Sequence, residues 1–382
     1  MDNLTHSLVG LTAAKAGLER LSPGATALCI LAANSPDCDV AIAVAGDRWT
    51  FLQHHRGITH AIVGIIVLSL VLPLIFYGVD RLWARFRNDT PKVKLRGLMI
   101  ASLIATATHP LLDWTNNYGV RWFLPWSGKW SYGDLVFIVD PYLWLILGGA
   151  SFLLSAKTIT GKVIWAVVAA VITFLILFSP RSGDISNPRF LVWLWIAGIV
   201  ILVVLFVIGA GRKFGNNIAF AAFALVLVYW GMLGYVHSRA VAQGHAIASR
   251  LVTPRGETVS RLAAMPTLAD PLHWDCVFET DRATYRFRIF LLGDMSPSSR
   301  VVRYEKPSGE LAEVMQSVSQ QRPAQVFLGF ARFPVAKLAD PNCTTQTLVQ
   351  LADLRYTEPG RSRGSFAVDL PVDCPASNEG GR

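Results

Sequence analysis

Residues 58–79 read ITHAIVGIIVLSLVLPLIFYGV and contain no Asp, Glu, Lys or Arg. As an α-helix this stretch is about 33 Å long, enough to cross a hydrocarbon layer of about 30 Å. It therefore predicts a membrane-spanning helix. Arg81, Arg85, Arg87, Lys92, Lys94 and Arg96 follow it and form the densest basic cluster in the chain. Basic loops stay on the cytoplasmic side, so the N-terminal end of this helix, with His60, is expected outside.

Working outward, the pattern recurs. The stretches 163–180, 190–211 and 214–236 are equally apolar, and 97–112 and 141–156 become long enough if Asp113 and Asp140 sit just in the interface. The stretches 4–20 and 24–36 are weaker. The first carries Gly10, Ala13, Ala14 and Gly17 on one helical face, a surface that lets membrane helices approach closely. The second is about 20 Å long and is expected to be a half-span. The fold class is thus an all-α polytopic membrane helix bundle of about 6–8 spans. Composition agrees, with 52% hydrophobic residues, 16% charged and a mean hydropathy of +0.41; soluble chains carry about 25% charged residues.

Three regions are expected: membrane helices 1–150, further spans 151–237, and a soluble tail 238–382. The tail opens with an amphipathic stalk over 238–252. Alternating runs then predict strands at 274–278, 285–291, 301–304, 325–333, 347–353 and 365–370, with one helix near 309–320. This is a C-terminal soluble β-rich domain. Most of the net charge of +9 lies in the bundle, where residues 1–237 hold 18 Lys/Arg and 11 Asp/Glu. Ten basic residues fall in loops on the inner side, against Arg121, Lys129, Arg181 and Arg189 on the other. The tail is therefore expected outside the cytoplasm. Nucleic-acid binding wants a basic, aromatic-interleaved soluble face, and none is present. The acidic start Met1-Asp2-Asn3 does not resemble a cleaved signal peptide. Cys276, Cys343 and Cys374 allow one disulfide in an oxidising compartment, while Cys29 and Cys38 read as small apolar packers.

Ionisable groups within membrane helices are costly and point to function. The orientation set by Lys and Arg alone brings His55, His60, His109 and Asp113 to the outer end. A hairpin of the first two segments adds His6 and Asp37. His109 and Asp113 are spaced i,i+4, on one helix face, and imidazole with carboxylate suits zinc or a similar divalent ion. Asp37 and Asp39 follow a Ser-Pro turn; Asp39 is expected to orient a ligand or act as general base. Arg56 either snorkels to headgroups or holds a phosphate or carboxylate. His54 reads as a bystander, and His237, His245 and His273 as structural. Trp114, Trp122, Trp126 and Trp130 fit an interfacial belt or a lid over the site. No G-x-S-x-G, H-E-x-x-H or P-loop is present.

The order of Asp2-Asn3-Leu4-Thr5-His6, Pro36-Asp37-Cys38-Asp39, His55-Arg56-Gly57-Ile58-Thr59-His60 and His109-Pro110-Leu111-Leu112-Asp113 with Asn117-Tyr118-Gly119 resembles the bacterial membrane-bound metal-dependent hydrolases of the YdjM type. The resemblance covers the first 140–150 residues and implies a helical membrane protein of the inner membrane with a hydrolase assignment. A more distant likeness, through the H-x-x-x-D pair, is to zinc-dependent phospholipase C and suggests phosphoester cleavage. No His occurs between 110 and 236, so one or two metals are expected rather than three. The expected activity is hydrolysis of a phosphoester or another lipid or envelope substrate at the outer face. The alternative is a non-enzymatic metal-binding envelope assembly factor or transporter; the transporter is disfavoured because spans 163–180 and 190–211 carry few polar groups.

Overall fold

The computed structural model describes residues 1–178, 189–340, 345–361, 364 and 366–373. The chain forms two compact units: Met1–Asp39 with Arg56–Val236 and Pro266–Pro271, and Val40–His55 with His237–Met265 and Leu272–Arg382.

In the first unit, α1 (Asn3–Lys15) and α2 (Ala25–Asn34) form the expected hairpin. Asp2 caps α1 by accepting from the Thr5 N–H at 2.9 Å. The small-residue face is the contact: a Cβ at Gly10 would meet the Cys29 carbonyl oxygen at 2.5 Å. From Asn34 the chain continues through a 3₁₀ segment (Ser35–Ala41) into α3 (Ile42–Ala45). Together Ala25–Ala45 is long and apolar enough to cross a membrane, more than the half-span expected from 24–36. A 3₁₀ turn (Ile58–His60) precedes α5 (Ile62–Arg87), the decisive span; α4 (Arg48–His54) lies before it. Next come α6 (Leu95–Trp114), α7 (Pro141–Ser155), α8 (Ile159–Phe178), α9 (Arg189–Val207) and the short α10 (Ala210–Phe214). α11 (Asn217–Val252) joins the last expected span and the stalk in one helix. Among the described residues six helices can span a membrane. The 15-residue α7 is short for a full crossing. Small residues let α6 sit against α2: Ala101 and Ala105 pack with Leu28, Cys29, Ala32 and Ala33.

The second unit carries two antiparallel sheets. The first has the order β1 (Val259–Thr267), β2 (Asp270–Thr280), β3 (Ala283–Phe290), β4 (Val302–Glu305). Its register sets Trp274 against Ile289, Cys276 against Phe287 and Phe278 against Tyr285, and all six side chains are buried. Between the sheets in sequence lie α12 (Glu310–Val318) and α13 (Arg322–Phe330). The second sheet is β5 (Pro334–Leu338), β6 (Gln346–Asp353), β7 (Ala367–Asp373). One reading is corrected here. Residues 325–333 were expected as a strand but lie mainly in α13. Pro323 presets its first turn, and Ala324, Phe327 and Phe330 are buried at helical spacing. By packing, residues 40–55 group with this second unit. Cys276 is a buried free thiol; its expected partners Cys343 and Cys374 lie outside the described residues. Cys29 is buried as expected, whereas Cys38 is exposed.

Candidate metal centre

Three pieces of chain build the site. The α1–α2 hairpin presents His6 and, just past α2, Asp37. The turn before α5 presents His60, and Gly64 allows it because a Cβ there would strike the Ile58 carbonyl. The last turns of α6 present His109 and Asp113, with Pro110 within the helix.

Asp37, His60, His109 and Asp113 each place one ligand atom within 4.8 Å of the other three. His60 Nε2 lies 3.1 Å from His109 Nε2, 3.4 Å from Asp37 Oδ1 and 3.3 Å from Asp113 Oδ2. His109 Nε2 lies 3.5 Å from Asp37 Oδ1 and 3.6 Å from Asp113 Oδ2. Metal–ligand bonds of about 2.0–2.2 Å in a tetrahedron place the ligand atoms about 3.3–3.6 Å apart. Four of these five separations fall in that range and the fifth is slightly shorter.

The protonation pattern fits a cation as well. His109 Nδ1 is 2.7 Å from the Ala33 carbonyl oxygen, an acceptor, so a neutral ring keeps its proton there. His60 Nδ1 lies 3.3 Å from Asp39 Oδ2 and 3.0 Å from the Thr59 hydroxyl. Both Nε2 atoms are thereby left as lone pairs facing each other and two carboxylates. His6 gives a further sign: it is fully buried, and neither ring nitrogen has a hydrogen-bond partner. Its ring stacks on His109 at 3.7 Å, and its Nε2 stands 3.4 Å from Asp113 Oδ1, the oxygen that also meets the Met1 amino group. Buried imidazoles ordinarily find partners, so the donor set fits a divalent ion.

Around these donors, supporting residues set their aim. Asp39 Oδ2 accepts from the Arg56 N–H at 2.9 Å and the Thr59 hydroxyl at 3.1 Å, and it faces His60 Nδ1. Arg56 is turned to protein rather than to an open pocket. Its Nε lies 2.9 Å from Asp113 Oδ2, and its Nη1 donates to Asn116 Oδ1 (3.0 Å) and to the carbonyls of Asp113 and Gly119 (3.2 Å each). Tyr118 covers the guanidinium at 4.6 Å. At φ +51°, Arg56 holds a backbone conformation uncommon outside glycine, fixed at both ends by these contacts.

Of the six ligand candidates, Asp37, His60, His109 and Asp113 converge with His6 beside them, and ligand atoms of His55, Asp37 and Asp39 also lie within 4.8 Å of one another. His55 caps α4 in the second unit, with its ring stacked on Phe51. His54 is exposed. Sequence reasoning missed Thr59, Asn116, Tyr118 and the Ala33 carbonyl. Thr59 and Tyr118 lay within the motifs, but a backbone carbonyl leaves no sequence signal.

The fold and site define a multi-pass helical membrane protein with a buried His/Asp cluster at one end of its helices. Residues 1–183 match the family described as YdjM inner membrane protein. It is similar to Uncharacterized protein YfhP of Bacillus subtilis (strain 168), 26% identical over 155 residues, which are 38% of this chain and 43% of that one. It is also similar to Inner membrane protein YbcI of Escherichia coli (strain K12), 25% identical over 205 residues, 52% of this chain and 93% of the relative. The match thus spans less than half of YfhP. No solved structure matches.

Proposed function

We propose that the chain is a membrane-bound metal-dependent hydrolase acting at the outer interface of the inner membrane, on a phosphoester or another lipid or envelope linkage. The observation that carries this reading is the pair of imidazole Nε2 atoms 3.1 Å apart, flanked by Asp37 and Asp113. Depth supports the substrate class. His109 lies about 21 Å along α6 and about 7 Å before Trp114. Trp114, Phe123 and Trp126 expose aromatic surface of the kind that settles at the headgroup level. The segment carrying the last two is tied to the start of α5, where the Ile62 N–H donates to the Trp122 carbonyl at 3.1 Å. The donors then sit just beneath an aromatic layer, near the bonds that join lipid headgroups to their chains.

Asp37, His60, His109 and Asp113 would hold the zinc, which would supply Lewis acidity toward a scissile oxygen and water. The protein's own residues do the rest. Asp37 is the least buried of the four, so substrate approaches at its edge. Asp39 holds His60 in one tautomer, and Arg56 holds Asp113. His6, with both ring nitrogens available, is placed to take up or return a proton. The second reading is a metal-binding assembly factor, favoured by one observation: four protein donors make a closed site, the hallmark of a structural metal. Turnover decides between them. The full chain in mixed micelles is assayed on phospholipids and other phosphoesters, then on envelope esters and amides, with and without chelator. Chelator-sensitive hydrolysis supports the enzyme; tightly held zinc with no hydrolysis across the panel supports the second reading.

A further inference from the structure

Within the first unit, α7, α8 and α9 surround a cavity that the metal centre does not use. α7 and α9 approach closely through small residues. A Cβ at Gly149 would meet Leu202 at 2.6 Å, and one at Gly198 would meet Leu145 at 2.4 Å. α8 is attached to this pair differently. Among the described residues of α8 only Ile172 and Ile176 are buried. Two indoles tie it at two heights: Trp165 donates to Ser155 Oγ of α7 at 2.8 Å, and Trp195 of α9 donates to Thr173 Oγ1 at 2.9 Å. Around these ties lies a cavity of about 300 Å³, with Gly148, Ala169 and Ile199 in its wall. A third lining indole, Trp144, is bonded to Asp2 and Thr5. With their N–H groups so engaged, the indoles present carbon to the cavity.

The two ends of the cavity differ. At one, Ile172 packs with Trp195 and Trp144. At the other stands Lys162, its ammonium 5.6 Å from the centre of the Phe206 ring. The ten residues of helix from Lys162 to Ile172 rise about 15 Å, the depth of one leaflet in a hydrocarbon layer about 30 Å thick. More cations gather at the Lys162 end. Lys157 precedes α8, and Arg212 and Lys213 lie in α10, where a Cβ at Gly211 would strike the Leu153 carbonyl of α7. All four cations are exposed, and among the described residues none pairs with a carboxylate. Asp184 is the only acidic residue in 141–237. We propose that the cavity binds an acyl chain of an anionic phospholipid, with Lys162 beside its phosphate. A gap between membrane helices forfeits dispersion contacts along its walls, and an alkyl chain supplies them over the full depth. The cations then select among lipids with identical chains by the charge of the headgroup. No lining residue is a metal donor, so this site is independent of the metal reading.

The test uses the full chain, delipidated in detergent and offered an equimolar mixture of phosphatidylglycerol and phosphatidylcholine with the same chains. Native mass spectrometry then reads which lipid stays bound. The wild type should retain one phosphatidylglycerol, preferred about tenfold or more, since each cation near a headgroup layer contributes about fivefold. Ala169→Phe puts a ring into the cavity and should abolish retention of both lipids. Lys162→Gln should keep a bound lipid but reduce the preference about fivefold, and Lys162→Arg should keep both lipid and preference. Circular dichroism and the melting temperature check that each variant keeps its helices. If Ala169→Phe does not fold, the Lys162 pair still decides, because that side chain is exposed. Retention unchanged in a folded Ala169→Phe overturns the proposal. So does a wild type that holds the two lipids equally, or a preference that Lys162→Gln leaves intact.

Discussion

His60 Nε2 and His109 Nε2 face each other at 3.1 Å, each ring having its Nδ1 set against an oxygen of Asp39 or Ala33. Two nitrogens so close, beside two carboxylates, form a donor group that could hold a metal ion. Purified protein is expected to hold near one equivalent of zinc or a similar ion by elemental analysis. His109→Ala combined with Asp113→Ala should lose most of it while helicity is retained. Equal metal in that double variant would remove the central claim.

Asp39 accepts from Arg56 and Thr59 and faces His60, which favours an orienting role over that of a proton acceptor. Asp39→Asn should therefore weaken zinc by about 10–100-fold, the usual cost of disturbing a ligand's partner. If zinc affinity is unchanged and turnover alone falls by about 10²–10⁴-fold, Asp39 is the general base instead.

Arg56 is almost wholly buried and pairs with Asp113. Removing one partner of a buried pair leaves the other charge uncompensated, at a cost of about 3–5 kcal/mol. Arg56→Ala should show a loss of that order in denaturant unfolding of the bundle. Arg56→Lys should recover only part of it, because an ammonium cannot span Asp113, Asn116 and Gly119 together. A neutral Arg56→Ala would mean that the guanidinium is held for substrate.

Topology is open to a direct check. A reporter active only outside the cytoplasm should be active when fused after Arg382 and silent in the loop at 88–94. The reverse pattern would put the metal centre on the cytoplasmic side.

In the second unit, Glu257 accepts from Thr280 (2.8 Å), Arg303 (2.9 Å) and Tyr285 (3.0 Å). Burial pushes its carboxyl up, but these hydrogen bonds outweigh it and hold the group below its ordinary range. A carboxylate depressed in the folded state adds stability above its unfolded pKa of about 4.3, and loses it as pH falls through the lower folded value. Protection of β2 and β3 against hydrogen exchange in the full chain should drop across that acid window. Glu257→Gln should show lower protection at neutral pH and a flatter acid limb; an identical limb would assign the acid sensitivity to other groups.

Read alone, the sequence determined that this is a multi-pass membrane protein followed by an antiparallel β domain, and that His109 and Asp113 share one helix face. Each follows from a local property: summed apolar length, charge in short loops, period-2 alternation, and i,i+4 spacing. The convergence of His60 and Asp37 with that pair was legible in outline, because helix direction alone places helix ends. The rest was decided by contacts between distant segments. His6 stacks beside the four donors because α1 packs on α2 at Gly10. Arg56 is turned to Asp113 because its backbone takes a left-handed turn held by Asp39. Residues 325–333 are mostly helical because their apolar side chains have a core to face at helical spacing, and the same α13 seats residues 40–55. Such outcomes depend on which surfaces meet, and no window of local sequence contains both surfaces.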